Sequence, residues 1–326
     1  MPPDVRGAAD SAWPSLSLEA WRDTHATLHM WLQIVGKTRL ALAPMENHWW
    51  QTTLYVTPRG YTTSAMPYGT RTLAVDVDFI DHQLNVRTSD RAARVIPLVP
   101  KSVATFYAEY LDAFRSLGVD LHLYPVPVEV ETAIPFADDD QHAAYDRSAA
   151  ERCWRMFVQA DRVLKQFRGG FIGKASPVHF FWGSFDLAYT RFSGRRAPPH
   201  PGGAPHCPAY VMAEAYSHEC SSAGFWPGGG AITEPAFYAY AYPEPPGYAD
   251  RSVAAGAFYS RDMGEFILPY RVHLAVRGSA DLRLARRDVT RVSRKHVRGG
   301  GGSRPMGSSG VGTCARDRPR CVAGEQ

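Results

Sequence analysis

No stretch of the sequence approaches the roughly eighteen uncharged apolar residues that a membrane-spanning helix needs, so no membrane partner is expected. The opening, Met1-Pro2-Pro3-Asp4-Val5-Arg6, lacks the basic-then-apolar order of a secretory signal, which makes the cytoplasm the expected location. Cysteine is scarce. Cys153, Cys207, Cys220, Cys314 and Cys321 are irregularly spaced and form no C-x-x-C, which excludes a disulfide framework and a dithiol redox motif. His206, Cys207, His218 and Cys220 are metal-binding residue types, but their H-C-x10-H-x-C spacing is not that of a zinc site, and no metal is expected. Catalytic signatures are missing too. There is no G-x-S-x-G, H-E-x-x-H or dinucleotide fingerprint. The run Gly170-Phe-Ile-Gly173-Lys174-Ala175 fails as a phosphate loop, because Arg168 stands where the first glycine belongs and Ala175 where the magnesium-binding hydroxyl belongs. These absences leave the cofactor unknown.

Lysine is equally rare, with 5 residues against 31 arginines. Charge is also unevenly distributed. Residues 271–326 hold twelve Arg and one Lys against four acids, a net of +9, which leaves −5 for residues 1–270 out of the whole-chain +4. After Leu284 there is no Leu, Ile, Phe, Trp or Tyr, so this basic tail has nothing to bury and is expected to be disordered. It also lacks aromatics for base stacking, so nucleic acid is not an expected partner. The abrupt change in composition after Tyr270 reads as a shift of reading frame in GC-rich DNA.

The whole chain, 326 residues with 45% hydrophobic and 21% charged content, is enough for a sizeable globular body. Three helices are predicted by 3-4 spacing with start and stop signals. Ser17 precedes Leu18, Trp21, His25, Leu28, Leu32 and Val35, with Gly36 as the stop. Ser102 precedes Val103, Phe106, Tyr110, Phe114 and Leu117, and Gly118 closes that stripe. Asp146 precedes Ala150, Trp154, Phe157, Leu164 and Phe167, ending near Gly169-Gly170. Between the first two, alternation through Leu73, Val75, Val77 and Phe79 and then Leu84-Asn85-Val86-Arg87 predicts a hairpin. With Asp81-His82 as its turn, Phe79 faces Leu84 and Val77 faces Val86, while Asp78 meets Asn85 and Asp76 meets Arg87. Asp76 and Asp78 then read as a solvated face with a cross-strand ion pair, not as a metal or acid/base pair.

The second half is richer in aromatics. Residues 178–192 read as a buried central or bulged strand, and residues 237–242 place Tyr238, Tyr240 and Tyr242 on one face with Phe237, Ala239 and Ala241 on the other. Trp21-Arg22, Pro44 and Thr57 recur 133 residues later as Trp154-Arg155, Pro177 and Thr190, which leaves open two similar halves, 15–135 and 145–270. The fold class is read as α+β, antiparallel sheets with helices packed on one face.

Several segments carry a resemblance: Thr27-Leu-His-Met-Trp31, Gln33-Ile-Val-Gly-Lys37, Asn47-His-Trp-Trp50, Ser176-Pro-Val-His-Phe-Phe-Trp-Gly-Ser-Phe-Asp186, Arg191-Phe-Ser-Gly-Arg-Arg-Ala-Pro-Pro199, Tyr216-Ser-His-Glu219 and Ala223-Gly-Phe-Trp-Pro-Gly228. Together they resemble an uncharacterised bacterial family known only as a domain of unknown function. The resemblance covers about residues 10–270 and implies one family unit over 1–270, with no activity, substrate or cofactor attached. Its members continue beyond Leu-Pro-Tyr as an Ala/Leu-rich acidic helix, and the present sequence departs from that pattern at Arg271.

The polar groups set in the aromatic, glycine-punctuated segments are His179, Asp186, Arg191, Arg195, Arg196, His218, Glu219 and Trp226, and these are the candidate ligand-binding residues. For each one alone a structural role is the more common fate. Strict alternation puts His179 and Asp186 on opposite faces unless Gly183 marks a bulge. The first functional reading is a binding protein or enzyme for a small aromatic or anionic molecule. The alternatives are a cofactor-free or metal-assisted hydrolase centred on His179, His218 and Glu219, and a protein-interaction module with exposed aromatics.

Overall fold

The helical stripe that begins at Leu18 does not stop at Gly36. In the computed structural model, which describes residues 13–229, 232–253 and 256–272, it runs on as α1 (Leu18–Leu42), with a kink at Trp21. Lys37, Thr38 and Arg39 are buried. Thr38 is bonded to the Tyr110 hydroxyl at 2.8 Å, and Arg39 donates to the Gln51 carbonyl at 2.7 Å, so tertiary contacts carry the helix past its glycine. Gly36 serves packing instead: a Cβ there would stand 2.1 Å from the Trp182 indole.

The other two helices match their capping signals. The Ser102 hydroxyl accepts the Thr105 N–H at 3.1 Å at the start of α2 (Val103–Ser116), and the Asp146 carboxylate accepts the Ala149 N–H at 2.9 Å at the start of α3 (Arg147–Arg168). Gly118, at φ 68°, follows α2 in the left-handed conformation expected of a helix-terminating glycine.

Six short strands build the first sheet: β1 (Tyr55–Val56), β2 (Gly60–Thr62), β3 (Met66–Tyr68), β4 (Arg71–Asp78), β5 (Gln83–Thr88) and β6 (Ala93–Pro97). Their order is β1-β2-β4-β5-β6, with β3 on β4, and all pairs are antiparallel. The β4–β5 hairpin exists with a register two residues away from the expected one: Val77 faces Leu84 and Val75 faces Val86. A shift of two preserves both faces. Its cause is Asp78, whose carboxylate accepts the Ile80 and Asp81 N–H groups at 2.8 and 3.0 Å and so lengthens the turn. Asp78 is therefore buried in the turn and held by Arg59, whereas Asp76 pairs with Arg87 at 3.0 Å in the solvent as expected.

The second sheet comprises β7 (His179–Phe181), β8 (Asp186–Arg196), β9 (His218–Trp226), β10 (Ala236–Tyr242), β11 (Phe258–Ser260) and β12 (Glu265–Pro269), in the order β11-β12-β10-β9-β8-β7, again antiparallel. Residues 178–192, expected as one strand, fold instead as a hairpin that turns at residues 182–185. One face of this sheet packs on α3, through Phe225 against Phe157 at 5.3 Å and Tyr189 against Phe167 at 5.8 Å. Leu54 and Phe180 exchange two 2.9 Å backbone hydrogen bonds and join the two sheets at β1 and β7. One apolar cluster unites residues of both sheets and all three long helices. The mixed α+β architecture stands as read. The basic segment expected to be disordered lies, from residue 273, outside the described residues.

Candidate ligand-binding cleft

The face of the second sheet that turns away from α3 is polar. Strand pairing puts His179, Asp186, Thr190, Phe192, Ser222, Trp226, Tyr238, Tyr240 and Glu265 on it, with the small residues Ala188 and Gly224 between them. The hairpin at 182–185 is what brings His179 and Asp186 to one face, as His179 pairs with Ala188 and Phe181 with Asp186.

Asp186 is the centre of one end. It accepts the Tyr238 hydroxyl on Oδ2 and the Ser184 hydroxyl at 2.5 Å on Oδ1. Tyr238 reaches it by lying over Gly224, where a Cβ would stand 2.2 Å from the phenol ring. Beside it the Tyr240 and Tyr216 hydroxyls are bonded at 2.7 Å, and Tyr216 follows α4 (Ala209–Ala215). Glu129 approaches from an irregular segment that α1 holds in place. The Gln33 side chain clamps Val128 with two 2.8 Å bonds, one to its carbonyl and one from its N–H. His29 Nε2 lies 3.0 and 2.8 Å from the Trp182 and Gly183 carbonyls and fixes the adjoining hairpin turn. A Cβ on Gly183 would meet the end of the Glu129 side chain at 2.2 Å, so that side chain would have to move aside.

These acids are far from their solution behaviour. Burial raises Asp186 against the opposing effect of its two hydroxyl donors. Glu129 and Glu265 are both pushed up to about 7, first by desolvation and then by the charge of Asp186. Yet Glu265, Tyr216, Tyr238 and Tyr240 keep part of their surface open to solvent, and Glu129 is exposed. No lysine or arginine among the described residues forms an ion pair with Asp186, Glu129 or Glu265. Nor do described His, Cys, Asp and Glu residues group closely enough to hold a metal.

Histidines occupy the other end. His48 and Trp49 both stand in the left-handed region, at φ 61° and 62°, a costly conformation for bulky residues. His48 donates its Nδ1 proton to the Ala215 carbonyl at 2.9 Å. The ring stacks on Phe192 at 4.6 Å and lies 5.8 Å from His218. His179 is 1% exposed beneath Trp50 and Tyr55, with its Nδ1 unpartnered, and burial next to Arg39 drives it down to about 3.

The eight candidates therefore divide. His179, Asp186, His218 and Trp226 share the polar face. Arg191 points the opposite way, buried under α3, where it donates to the Phe167 carbonyl at 3.1 Å and packs 3.8 Å from the Phe167 ring. Glu219 alternates to that same side and is held by Ser193 at 2.8 Å and Arg195 at 2.6 Å. Arg196 is exposed at the end of β8. No hydrogen bond among the described residues joins His179 to His218, or either to Glu219. Glu129 and Glu265 had no signal of their own in the sequence, because Glu129 lies outside any periodic stripe and Glu265 begins a short strand, and His48 showed only as part of the Asn47-His-Trp-Trp50 segment. Tyr238 was visible only as one rung of the tyrosine alternation.

A family model described as "Family of unknown function (DUF5996)" matches residues 13–285, most of the chain. The chain belongs to the DUF5996 family. The match passes Arg271 and runs to residue 285, so the departure expected at Arg271 is not where the family pattern ends. No curated protein and no solved structure matches this DUF5996 chain. No described helix of it is long and apolar enough to cross a membrane.

Proposed function

We propose that the cleft on the polar face of the second sheet binds a small molecule that carries a positive charge, with Asp186 as its principal anchor. The observation that supports this reading most is the grouping of Asp186, Glu129 and Glu265 without a cationic side chain of the protein's own. A buried carboxyl such as Asp186, with two further acids beside it, either keeps its proton at neutral pH or accepts a cation from outside. Tyr216, Tyr238 and Tyr240 add phenol rings and hydroxyls of the kind that favour an ammonium over a neutral group. The anionic ligand expected from the arginines is disfavoured, because Arg191 and Arg195 are committed to Phe167 and Glu219.

The test is a thermal-shift screen of the full chain with small primary and quaternary amines, each paired with a neutral isostere and a carboxylate of similar size. An amine should raise the melting temperature, its neutral isostere should not, and Asp186→Asn should remove the effect while the protein stays folded. Stabilisation by the carboxylates, or amine binding that survives Asp186→Asn, would refute the reading.

A further inference from the structure

Lys37 lies on the second half of α1 and is 2% exposed, a rare placement for an ammonium. Its Nζ stands 5.1, 5.7 and 5.9 Å from the ring centroids of Tyr124, Trp182 and Phe136. No described acceptor or carboxylate pairs with it, and three aromatic rings stand around its ammonium, with the Cys207 thiol near by. Lys101 and Lys165, by contrast, pair with Glu109 and Asp161, and Lys174 is exposed.

The enclosure is built, not incidental. Trp182 reaches the helix only because residue 36 is glycine, and its indole N–H is anchored to the Thr52 carbonyl at 2.7 Å. Phe136 is completely buried, whereas Tyr124 is 64% exposed, which makes it the wall through which a small molecule can enter. The titratable groups that neighbour Lys37 are Tyr124, whose ring it lies over, and the Cys207 thiol, which also feels the charge of Glu129.

We infer that Lys37 is a carbonyl-capturing amine that forms a Schiff base with a small aldehyde or ketone. In this step the neutral amine adds to the carbonyl carbon, a C=N double bond replaces the C=O double bond, the carbonyl oxygen leaves as water with the two amine protons, and the imine nitrogen takes one proton from solvent to become the iminium. No oxidant or cofactor is consumed. The aromatic faces that now surround an ammonium would surround the iminium equally well, and a dry site favours loss of water. Desolvation already holds the amine down to about 8, so at pH 7 the free-amine fraction is roughly two-hundredfold that of an ordinary lysine. This inference does not depend on the acidic cleft.

Propionaldehyde with sodium cyanoborohydride tests it on the full chain at pH 7, followed by peptide mass mapping of all five lysines. Lys37 should gain the reduced propyl adduct about tenfold faster than Lys101, Lys165, Lys174 or Lys295, with a rate that rises through pH 8 and then levels. Tyr124→Ala should speed the reaction further. Lys37→Arg, which keeps the charge, should remove the fast adduct without loss of fold by circular dichroism. A Lys37 that is labelled no faster than the other lysines, in the wild type and in Tyr124→Ala alike, would overturn the inference.

Discussion

His179 shows at the level of one residue how burial sets the pH response. Its folded value of about 3 lies below the ordinary 6.5, so between those limits the unfolded chain binds a proton that the folded chain refuses. The stability this contributes is complete above pH 6.5 and is lost as pH falls toward 3. At pH 5 the loss amounts to about 2 kcal/mol. His25 and His29, lowered to about 3 and about 4, act in the same direction. Glu129 and Glu265 act in the opposite one: raised to about 7, they favour the folded state while protonated and cost stability as pH climbs from 4.5 through 7. Urea denaturation of the wild type and His179→Phe at pH 7.5 and pH 5 isolates the histidine contribution, and the variant should lose less stability on acidification. An equal loss in both would mean that His179 is not held neutral. The neighbouring acids of β4 offer a contrast. Asp76→Ala removes an exposed ion pair and should cost at most about 1 kcal/mol. Asp78→Ala strips two turn N–H groups and Arg59 of their partner and should cost about 2 to 3 kcal/mol by the same denaturation measurement.

Elements were legible where their signals are local. Ser102 and Asp146 sit a fixed distance from the N–H groups they accept, so the starts of α2 and α3 could be read directly from the chain. The face alternation of β4, β5 and β10 was equally plain, since period two survives a register shift of two. Gly36 was misread as a helix stop because it is glycine on account of a residue distant in sequence: the Trp182 indole comes within 2.1 Å of where a Cβ would be, and a helix stop is the only local meaning such a glycine can show. The division of the candidate site follows from this as well. Taking residues 178–192 as one strand separated His179 from Asp186, and the hairpin that unites them depends on long-range contacts from His29 and Glu129. Gly36→Ala is the corresponding prediction. In an open helix alanine would gain about 1 kcal/mol over glycine, but displacement of Trp182 should turn this into a net loss of about 1 to 3 kcal/mol in thermal or urea unfolding. A stabilised Gly36→Ala would show that the Trp182 contact is loose.

At the scale of the whole molecule, the two sheets share a core and are joined by the Leu54–Phe180 bridge, so they are expected to unfold together. Far-ultraviolet circular dichroism and tryptophan fluorescence should report one coincident transition, and Phe180→Ala should lower its midpoint by the equivalent of about 3 to 5 kcal/mol without splitting it. Two separated transitions would mean that the sheets are independent units. The charge distribution bears on function at this scale too. Residues 1–270 carry a net −5, and a negative body with an acidic cleft draws cations toward it and repels anions. Native mass spectrometry of the full chain, mixed with equimolar small amines and carboxylates and followed by the same measurement on Asp186→Asn, tests this most directly. The wild type should retain an amine at one-to-one stoichiometry, carry no carboxylate and lose the amine in Asp186→Asn; retention of a carboxylate, or of the amine by both proteins alike, would contradict a cation site at Asp186.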